Sequence, residues 1–500
     1  MPDLITTELG SDGVLTATID MPDRSMNVFS KALMDAIEAL LDRVDASSDI
    51  ASVVLTSGKS SFLAGADLPM VQGYAISARS ATTEQMFALC GRLGRLFVRL
   101  EASAKPWVAA VNGTALGGGL ELAMACRVRL VSDAPRTALG VPEVRWGLLP
   151  GAGGTQRLPR LAGFKPAMSL LLTGKSLDAD SAVAAGIFDA KVAADKLLPA
   201  AQARARELQG QPYDAARKFR YLAQTDVPTH SDSTARQIAL DNGVADADLD
   251  IYPAYLAITH SVLLGARLPL HQANDVEMRQ FLKLMFNPVA GNMMGTLFIN
   301  RQRADKAWRP PEGLRLTQVG VGALPDANAP WAQALSKSRL VHAPDPTLPA
   351  DTLALTDSHG TRLVVSLACL NAPGQTPSAS PPTCPLAVLC PQGPYGRVLE
   401  IVGATDADMP TLAALAAALQ ALAYRTSGSG SVLHALASIT AGTESARLQS
   451  QASAAQQHLA RGHITEPEFF DVAACTAGVF PAWSGGPFTW ASQHSESLPA

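Results

Sequence analysis

The chain has 500 residues, 47% of them hydrophobic and 17% charged, with a formal net charge of −4. That length exceeds one ordinary core and implies two or three domains of globular rather than disordered composition. The slight excess of acid offers no basic footprint, so no nucleic-acid partner is expected. Nine histidines without an HExxH-type pair and six cysteines without a CxxC imply no metal site and reduced, partly buried thiols. The N-terminus has neither a basic segment followed by an apolar one nor an Arg-rich amphipathic pattern. No apolar run nears the roughly 18–20 residues that span a bilayer. The expectation is a soluble, cytoplasmic protein without a transmembrane segment.

In chain order, residues 14–20 alternate with period two and read as a strand. Ser30 is a plausible N-cap for a helix through Leu33, Ile37, Leu40, Leu41 and Val44. Short apolar runs at 53–56, 107–111 and 128–131 read as buried strands, and the βαβ rhythm predicts an α/β core with right-handed crossovers. From about Asp178 to Lys306 strand signals vanish, and residues 275–303 read as one long helical stretch. A Pro-rich boundary follows at 309–313. Residues 314–400 carry short strands such as 363–366, and 371–382 reads as a linker. Residues 410–460 read as an Ala/Leu helical region. The predicted boundaries are 1–190, 191–310, 311–403 and 404–500.

Three segments carry chemistry. In Ser61-Phe-Leu-Ala-Gly-Ala-Asp-Leu68, Gly65 permits a tight turn and Ala66 can present its N–H inward. In Gly117-Gly-Gly-Leu-Glu121, a helix beginning at the glycines would aim free N–H groups at a bound oxygen. If Gly118 donates there, Glu121 lies one turn later on the same face. In Val141-Pro-Glu143, Pro142 is expected to hold the approach extended, before the turn at 151–154 and a helix starting at Thr155. Two carboxylates on one site can divide acid and base work if their environments differ, so Glu121 and Glu143 suggest proton chemistry beside an activated carbonyl. Alone, each part has a plainer reading: a packed glycine turn, a first-turn glutamate or a surface charge. Asp67 reads as a structural cap or turn residue, and Arg157 as a structural ion-pair partner.

Taken together in order and spacing, these motifs resemble the enoyl-CoA hydratase (crotonase) family. Residues 140–190, with Ile251-Tyr-Pro-Ala254 and Phe286-Asn-Pro288, are similar to multifunctional fatty-acid β-oxidation α subunits, which join a hydratase/isomerase to a 3-hydroxyacyl-CoA dehydrogenase. The resemblance spans about 300 residues. It implies an N-terminal crotonase (ββα spiral) fold, then a connecting helix and a reduced Rossmann-like and helical dehydrogenase-like region. It implies that Ala66 and Gly118 N–H groups form an oxyanion hole, that Glu121 activates water and that Glu143 exchanges the proton at C2. Losing one such N–H donor typically costs about 3 kcal/mol. It also implies that CoA runs along Ala64, Gly65, Asp67 and Leu68. Pro69 replaces the polar residue usual soon afterwards, and Arg24 is a substitute candidate for the CoA phosphates.

The dehydrogenase-like half departs from that family. Gly320 and Gly322 occupy the first two positions of a dinucleotide fingerprint, but Pro325 takes the third, where it removes an N–H and disturbs close packing. Asp345 falls slightly too far along for a ribose-binding acid. Glu400 stands at the glutamate position without the preceding histidine, so the general base for hydride transfer is missing. NAD binding is therefore not expected, and the region reads as kept for packing, assembly or acyl-chain enclosure. Residues 462–487 still resemble the family's final helical domain.

The expected activity is enoyl-CoA hydration, with Δ3-Δ2 isomerase activity as a companion, on a CoA thioester and without a required cofactor. Rivals are an acyl-CoA-binding subunit scaffolding a thiolase, and a bifunctional enzyme retaining NAD-dependent dehydrogenase activity. A thiolase partner and a homo-oligomer both remain open.

Overall fold

The computed structural model describes residues 4–22, 24–324, 329–338, 340–370, 384–428 and 430–494. The chain divides into two units, residues 1–291 and 292–500. In the first, β1 (Ile5–Leu9) and β2 (Val14–Ile19) pair antiparallel at one edge of a six-stranded sheet. Next come β3 (Ser52–Ser57), β4 (Trp107–Val111), β6 (Val128–Ser132) and β9 (Ala190–Val192), all parallel. Val14, Val54, Val108, Ala110, Val128 and Leu130 form one face, closed by Leu197, Ala201 and Ala205 of helix Leu197–Glu207. The alternate residues Leu15, Val53 and Leu55 are equally buried on the other face. Coverage on both sides is why these strands read as apolar runs rather than alternating ones. Each fully buried Val or Leu contributes about 1.5–3 kcal/mol, against about 0–1 kcal/mol for an exposed ion pair such as Arg99–Asp45. The apolar faces therefore hold the sheet.

A second, small sheet sets up the functional region. It orders β5 (Ala115–Leu116), β7 (Leu139–Gly140) and β8 (Ser176–Leu177). Ser30 caps helix Lys31–Ala46 by accepting from Leu33 N, as its sequence position predicts. Several local expectations change. The supposedly strand-free stretch from Asp178 holds the edge strand β9, whose three residues are too few for a periodic signal. The helical stretch of 275–303 begins earlier, at Leu270, and breaks at Asn287, because Pro288 bars its predecessor from helical geometry; helical turns resume at Pro288–Met294, Gly295–Asn300 and Arg301–Ala307. Pro142 starts a 3-10 turn, Pro142–Trp146, rather than an extended approach; its fixed φ suits a first helical position.

In the second unit a seven-stranded sheet has the order β11-β10-β12-β13-β14-β15-β16. The strands are β10 (Leu316–Val321), β11 (His342–Pro344), β12 (Thr352–Asp357), β13 (Arg362–Cys369), β14 (Leu386–Gly393), β15 (Gly396–Val402) and β16 (Ala421–Thr426). Parallel and antiparallel pairs mix: β10 is parallel to β11 but antiparallel to β12. Leu386, Val388 and Cys390 of β14 face one core, while Ala387 and Leu389 face another. Helices Val432–Ala437, Glu444–Ala460 and Pro467–Ala477 cover the first, and helix Met409–Leu419 the second. The strand-bearing part thus runs past residue 403 to Thr426, and β16 interrupts the helical reading of 410–460. The linker at 371–382 and Pro325 lie outside the described residues.

Near the end of this unit, buried Asp471 accepts from Phe488 N, Thr489 N and the Thr489 hydroxyl at 2.7–2.9 Å. Gly486 makes this approach possible: its φ is +104°, and a Cβ there would lie 2.5 Å from Asp471 Cβ. Gly486→Ala is therefore expected to destabilise the second unit by about 2–4 kcal/mol, read as a lower midpoint of its denaturant transition. An unchanged midpoint would refute this account of the turn.

Candidate active site

Two chain segments run side by side in the first unit. Leu63 pairs in parallel with Ala115, and Leu116 N donates to Leu63 O at 3.0 Å. Two residues along, a Cβ on Gly117 would lie 3.7 Å from Gly65 Cα, so the residues before Ala66 and Gly118 run close together. On the other side of the 63–67 segment, Phe29 N donates to Gly65 O at 2.8 Å and Asp67 N donates to Phe29 O at 3.0 Å. These bonds engage the residues flanking Ala66 and leave its own N–H on the edge away from Phe29. Gly118 begins helix Gly118–Ala125, where the first N–H groups have no partner within the helix. The glycines here serve close approach. A Cβ on Gly119 would overlap Leu63 O, and one on Gly118 would meet the Phe29 ring at 2.9 Å. Gly117, at φ +53° and ψ −126°, turns the chain into the helix, and a Cβ there would overlap Glu143 Oε1. The Glu143 carboxyl therefore lies directly against the glycine turn.

The two glutamates have different surroundings. Glu121 is 2% exposed. Its Oε1 accepts from Ala152 N at 2.8 Å and Gly154 N at 2.7 Å, at the start of helix Gly154–Ala162. Burial lifts its carboxyl to about 6, against the pull of those N–H donors and the Arg157 charge. Glu143 sits on the turn Pro142–Trp146, and its Oε2 is buried without a hydrogen-bond partner among the described residues. Burial first, and then the Glu121 charge, raise it well above the usual carboxylate range. A carboxylate accepting N–H bonds keeps its charge more readily than one facing none. Glu143 therefore holds its proton to higher pH than Glu121 does.

A third carboxyl, Glu277, lies outside the sequence-predicted set. It is 1% exposed on helix Leu270–Phe286. It accepts from Gly153 N at 2.5 Å, from Thr155 N at 2.8 Å and from the Thr155 hydroxyl at 2.5 Å. A signal existed: Glu277 shares the helical stripe of Asn274, Met278 and Phe281, where a charge on an otherwise buried face calls for a partner. Arg157 pairs with Glu101 at 3.0 Å and Lys218 meets the same carboxylate, all three buried, so Arg157 is the structural ion-pair partner its sequence position suggests.

The other candidates separate. Asp67 stands at the N-cap of helix Leu68–Ser77 but makes no side-chain cap; its carboxylate instead pairs with Arg24 at 3.0 Å. Arg24 thus reaches the Ala64–Leu68 segment with its charge partly answered. Asp345 lies beside Gly320 but is engaged by Thr347 N and Oγ1 at 3.0 and 2.5 Å. A Cβ on Gly322 would overlap Pro349 O, so the second fingerprint glycine faces the chain's own backbone. Glu400 is fully buried in β15, where it accepts from Thr426 Oγ1, Ser431 Oγ and Val432 N. His230, Asp232 and His260 form another potential ligand group. His260 Nδ1 meets His230 Nε2 at 3.0 Å, and its Nε2 lies 3.9 Å from Asp232 Oδ1.

Residues 10–247 match the family model described as enoyl-CoA hydratase/isomerase. Over 287 residues the chain is 37% identical to a fatty acid oxidation complex subunit alpha from Idiomarina loihiensis, a match covering 57% of this chain and 39% of that protein. Over 294 residues it is 37% identical to a protein of the same description from Shewanella amazonensis, covering 57% and 40%. The chain thus spans about two fifths of the length of these relatives. A solved structure of Pseudomonas aeruginosa DspI is 28% identical with a TM-score of 0.36, covering 44% of this chain and 85% of that one.

The protonation asymmetry is directly measurable. At pH 7 the infrared difference between wild type and Glu143→Gln should contain a protonated-carboxyl C=O band. At pH 8 the difference for Glu121→Gln should contain carboxylate bands instead. The same ionised signature for both glutamates would contradict the asymmetry.

Proposed function

We propose that this site adds water across the double bond of a 2-enoyl-CoA thioester, a reading supported by the match of residues 10–247 to the enoyl-CoA hydratase/isomerase family model. The observation that carries the proposal is the pair of neighbouring carboxyls, Glu121 held by two N–H donors and Glu143 with its buried Oε2 unbonded among the described residues. In this reading the thioester oxygen accepts from the N–H groups of Ala66 and Gly118, which oppose the charge that develops as water attacks. Ionised Glu121 takes a proton from water while the water oxygen bonds to C3. Protonated Glu143 gives its proton to C2, and the double-bond electrons close that C–H bond. Proton return from Glu121 to Glu143 resets the site. The same Glu143 position, acting on C2 of a 3-enoyl isomer, would supply the companion isomerase step. CoA would follow Ala64–Leu68, with Arg24 near its phosphates despite the Asp67 pair.

The proposed setting is fatty-acid β-oxidation in the cytoplasm, without a resident cofactor. None of the described helices is long and apolar enough to cross a membrane. For the second unit we propose a role in packing or assembly without NAD. Gly322 packs against a backbone carbonyl, Asp345 is engaged by Thr347, and Glu400 spends its oxygens on hydroxyls and a helix N–H. None of these is a free dinucleotide or hydroxyl ligand. A scaffolding role beside a thiolase is the rival reading, motivated by the relatives' description as complex subunits.

Crotonyl-CoA and longer 2-enoyl-CoA substrates test the activity. Glu121→Gln and Glu143→Gln should each lower kcat by about 10²–10⁴-fold with KM little changed. For the wild type, kcat should fall about tenfold per pH unit below about 6, as Glu121 takes up a proton. No hydration at any chain length would favour the scaffold, and full activity in both variants would refute the residue roles. Titration calorimetry with NAD should show no binding; micromolar affinity would overturn the reading of the second unit.

A further inference from the structure

Successive amides of the turn 152–155 point alternately to two carboxyls. Ala152 and Gly154 donate to Glu121; Gly153 and Thr155 donate to Glu277. One stretch of backbone is thus gripped from both sides, and its aim at Glu121 depends on what it finds opposite. We propose that Glu277 is a positioning residue for Glu121, fixing the turn whose N–H groups hold the Glu121 carboxylate. The proposal rests on the hydratase reading for its kinetic consequence but not for its geometry.

The surroundings make Glu277 a fixed support. The Thr155 hydroxyl that bonds Glu277 also meets Ser261 Oγ at 2.7 Å, and Gln156 Nε2 donates to Thr155 Oγ1 at 3.0 Å. These bonds tie the turn and helix Leu270–Phe286 to helix Pro253–Gly265. Across the turn, Arg157 donates to Ala152 O at 2.8 Å. Gly153, at φ +104°, leaves room for that guanidinium. If Glu277 cannot accept, two buried N–H groups lose their partner, and the chain must turn to satisfy them. Ala152 N and Gly154 N then leave Glu121 poorly held.

Charges around Glu277 come from each packed element. Glu121 and Glu143 lie on the site side, and Arg157, already paired to Glu101, on helix Gly154–Ala162. Helix Arg92–Ala102 brings Arg95 and Arg99 to a cleft of about 280 Å³ beside Glu277, opposite His271 and Asp275. Helices Leu68–Ser77 and Thr83–Cys90 add Tyr74 and Cys90, both pushed further from ionisation by burial. Helix Pro253–Gly265 adds His260, which burial lowers. Burial, then the Glu121 charge, push Glu277 up to about 8. Glu277→Gln keeps the size of the side chain and removes acceptor capacity from the two N–H groups it now holds.

The test uses Glu277→Gln in the full chain: an isosteric change whose amide must face at least one of the donors now bonded to the carboxyl. Carbon-13 labelling of glutamate carboxyls, with Glu121→Gln for assignment, gives the Glu121 titration without reference to activity. Its midpoint should rise by about one pH unit as the N–H bonds weaken. With 2-enoyl-CoA, kcat should fall about tenfold or more, KM should stay within roughly threefold, and the acid limb of the pH profile should move up in step. A Glu121 midpoint that does not move overturns the proposal, whatever the activity or melting temperature does. A moved midpoint in a protein that hydrates no enoyl-CoA would instead refute the hydratase reading. If Glu277→Gln does not fold, Thr155→Val decides: it removes the hydroxyl with its bonds to Glu277, Ser261 and Gln156 but keeps the Thr155 N–H, should move the midpoint in the same direction, and overturns the proposal if it does not.

Discussion

Everything at the candidate site follows from taking three carboxyl groups out of water within reach of one another's charge. Burying an isolated carboxylate is far too costly to tolerate, so each must be protonated or supplied with donors. Glu121 and Glu277 receive backbone N–H groups from the start of helix Gly154–Ala162, where such groups lack internal partners. Glu143 receives none at Oε2 and keeps its proton. The supply of donors and the neighbouring Glu121 charge divide the roles together: Glu277 has donors and is still pushed up to about 8 by burial and that charge.

The fold exists around that supply. The six-stranded sheet with its two apolar faces is a rigid base, and the small sheet of β5, β7 and β8 brings the Gly117 turn and the Pro142–Trp146 turn together. The Leu63–Ala115 register then aligns two edges of N–H groups. Beneath the Gly154–Ala162 helix, the buried Glu101–Arg157–Lys218 cluster answers its own charges and anchors the helix through Arg157. Breaking one partner of such a cluster typically costs 3–5 kcal/mol, because a charge is then left buried alone. The same cluster therefore holds the turn 151–155 in place.

The second unit uses similar parts to a different end. Its buried acids, Glu400 and Asp471, also accept from helix-start N–H groups and hydroxyls. Here those donors belong to helices Val432–Ala437 and Pro487–Gln493, and the bonds fasten helices to the β15 strand or to each other. A buried acid with every oxygen engaged by structural donors is a fastener. One with an oxygen left open, as at Glu143, can meet a substrate.

How much the sequence revealed depended on the range of the interaction. Local rules located β2, β3, β4 and β6, the Ser30 cap and the helix starting at Gly118, because strand runs, caps and glycine turns act over a few residues. The two glutamates stood out because each adjoins a glycine-rich stretch and the parts occur together in order and spacing. Local rules erred where a neighbour decided: β9 and β16 are short strands fixed by pairing, and Pro142 opens a 3-10 turn. The sequence by itself determined which residue types could do proton chemistry and where the chain would turn. Tertiary structure alone decided that Glu277, more than 120 residues from the turn it grips, joins Glu121 there. It also decided which carboxyl keeps its proton, because desolvation and N–H donors arrive from distant elements and leave no mark on the residues beside each glutamate.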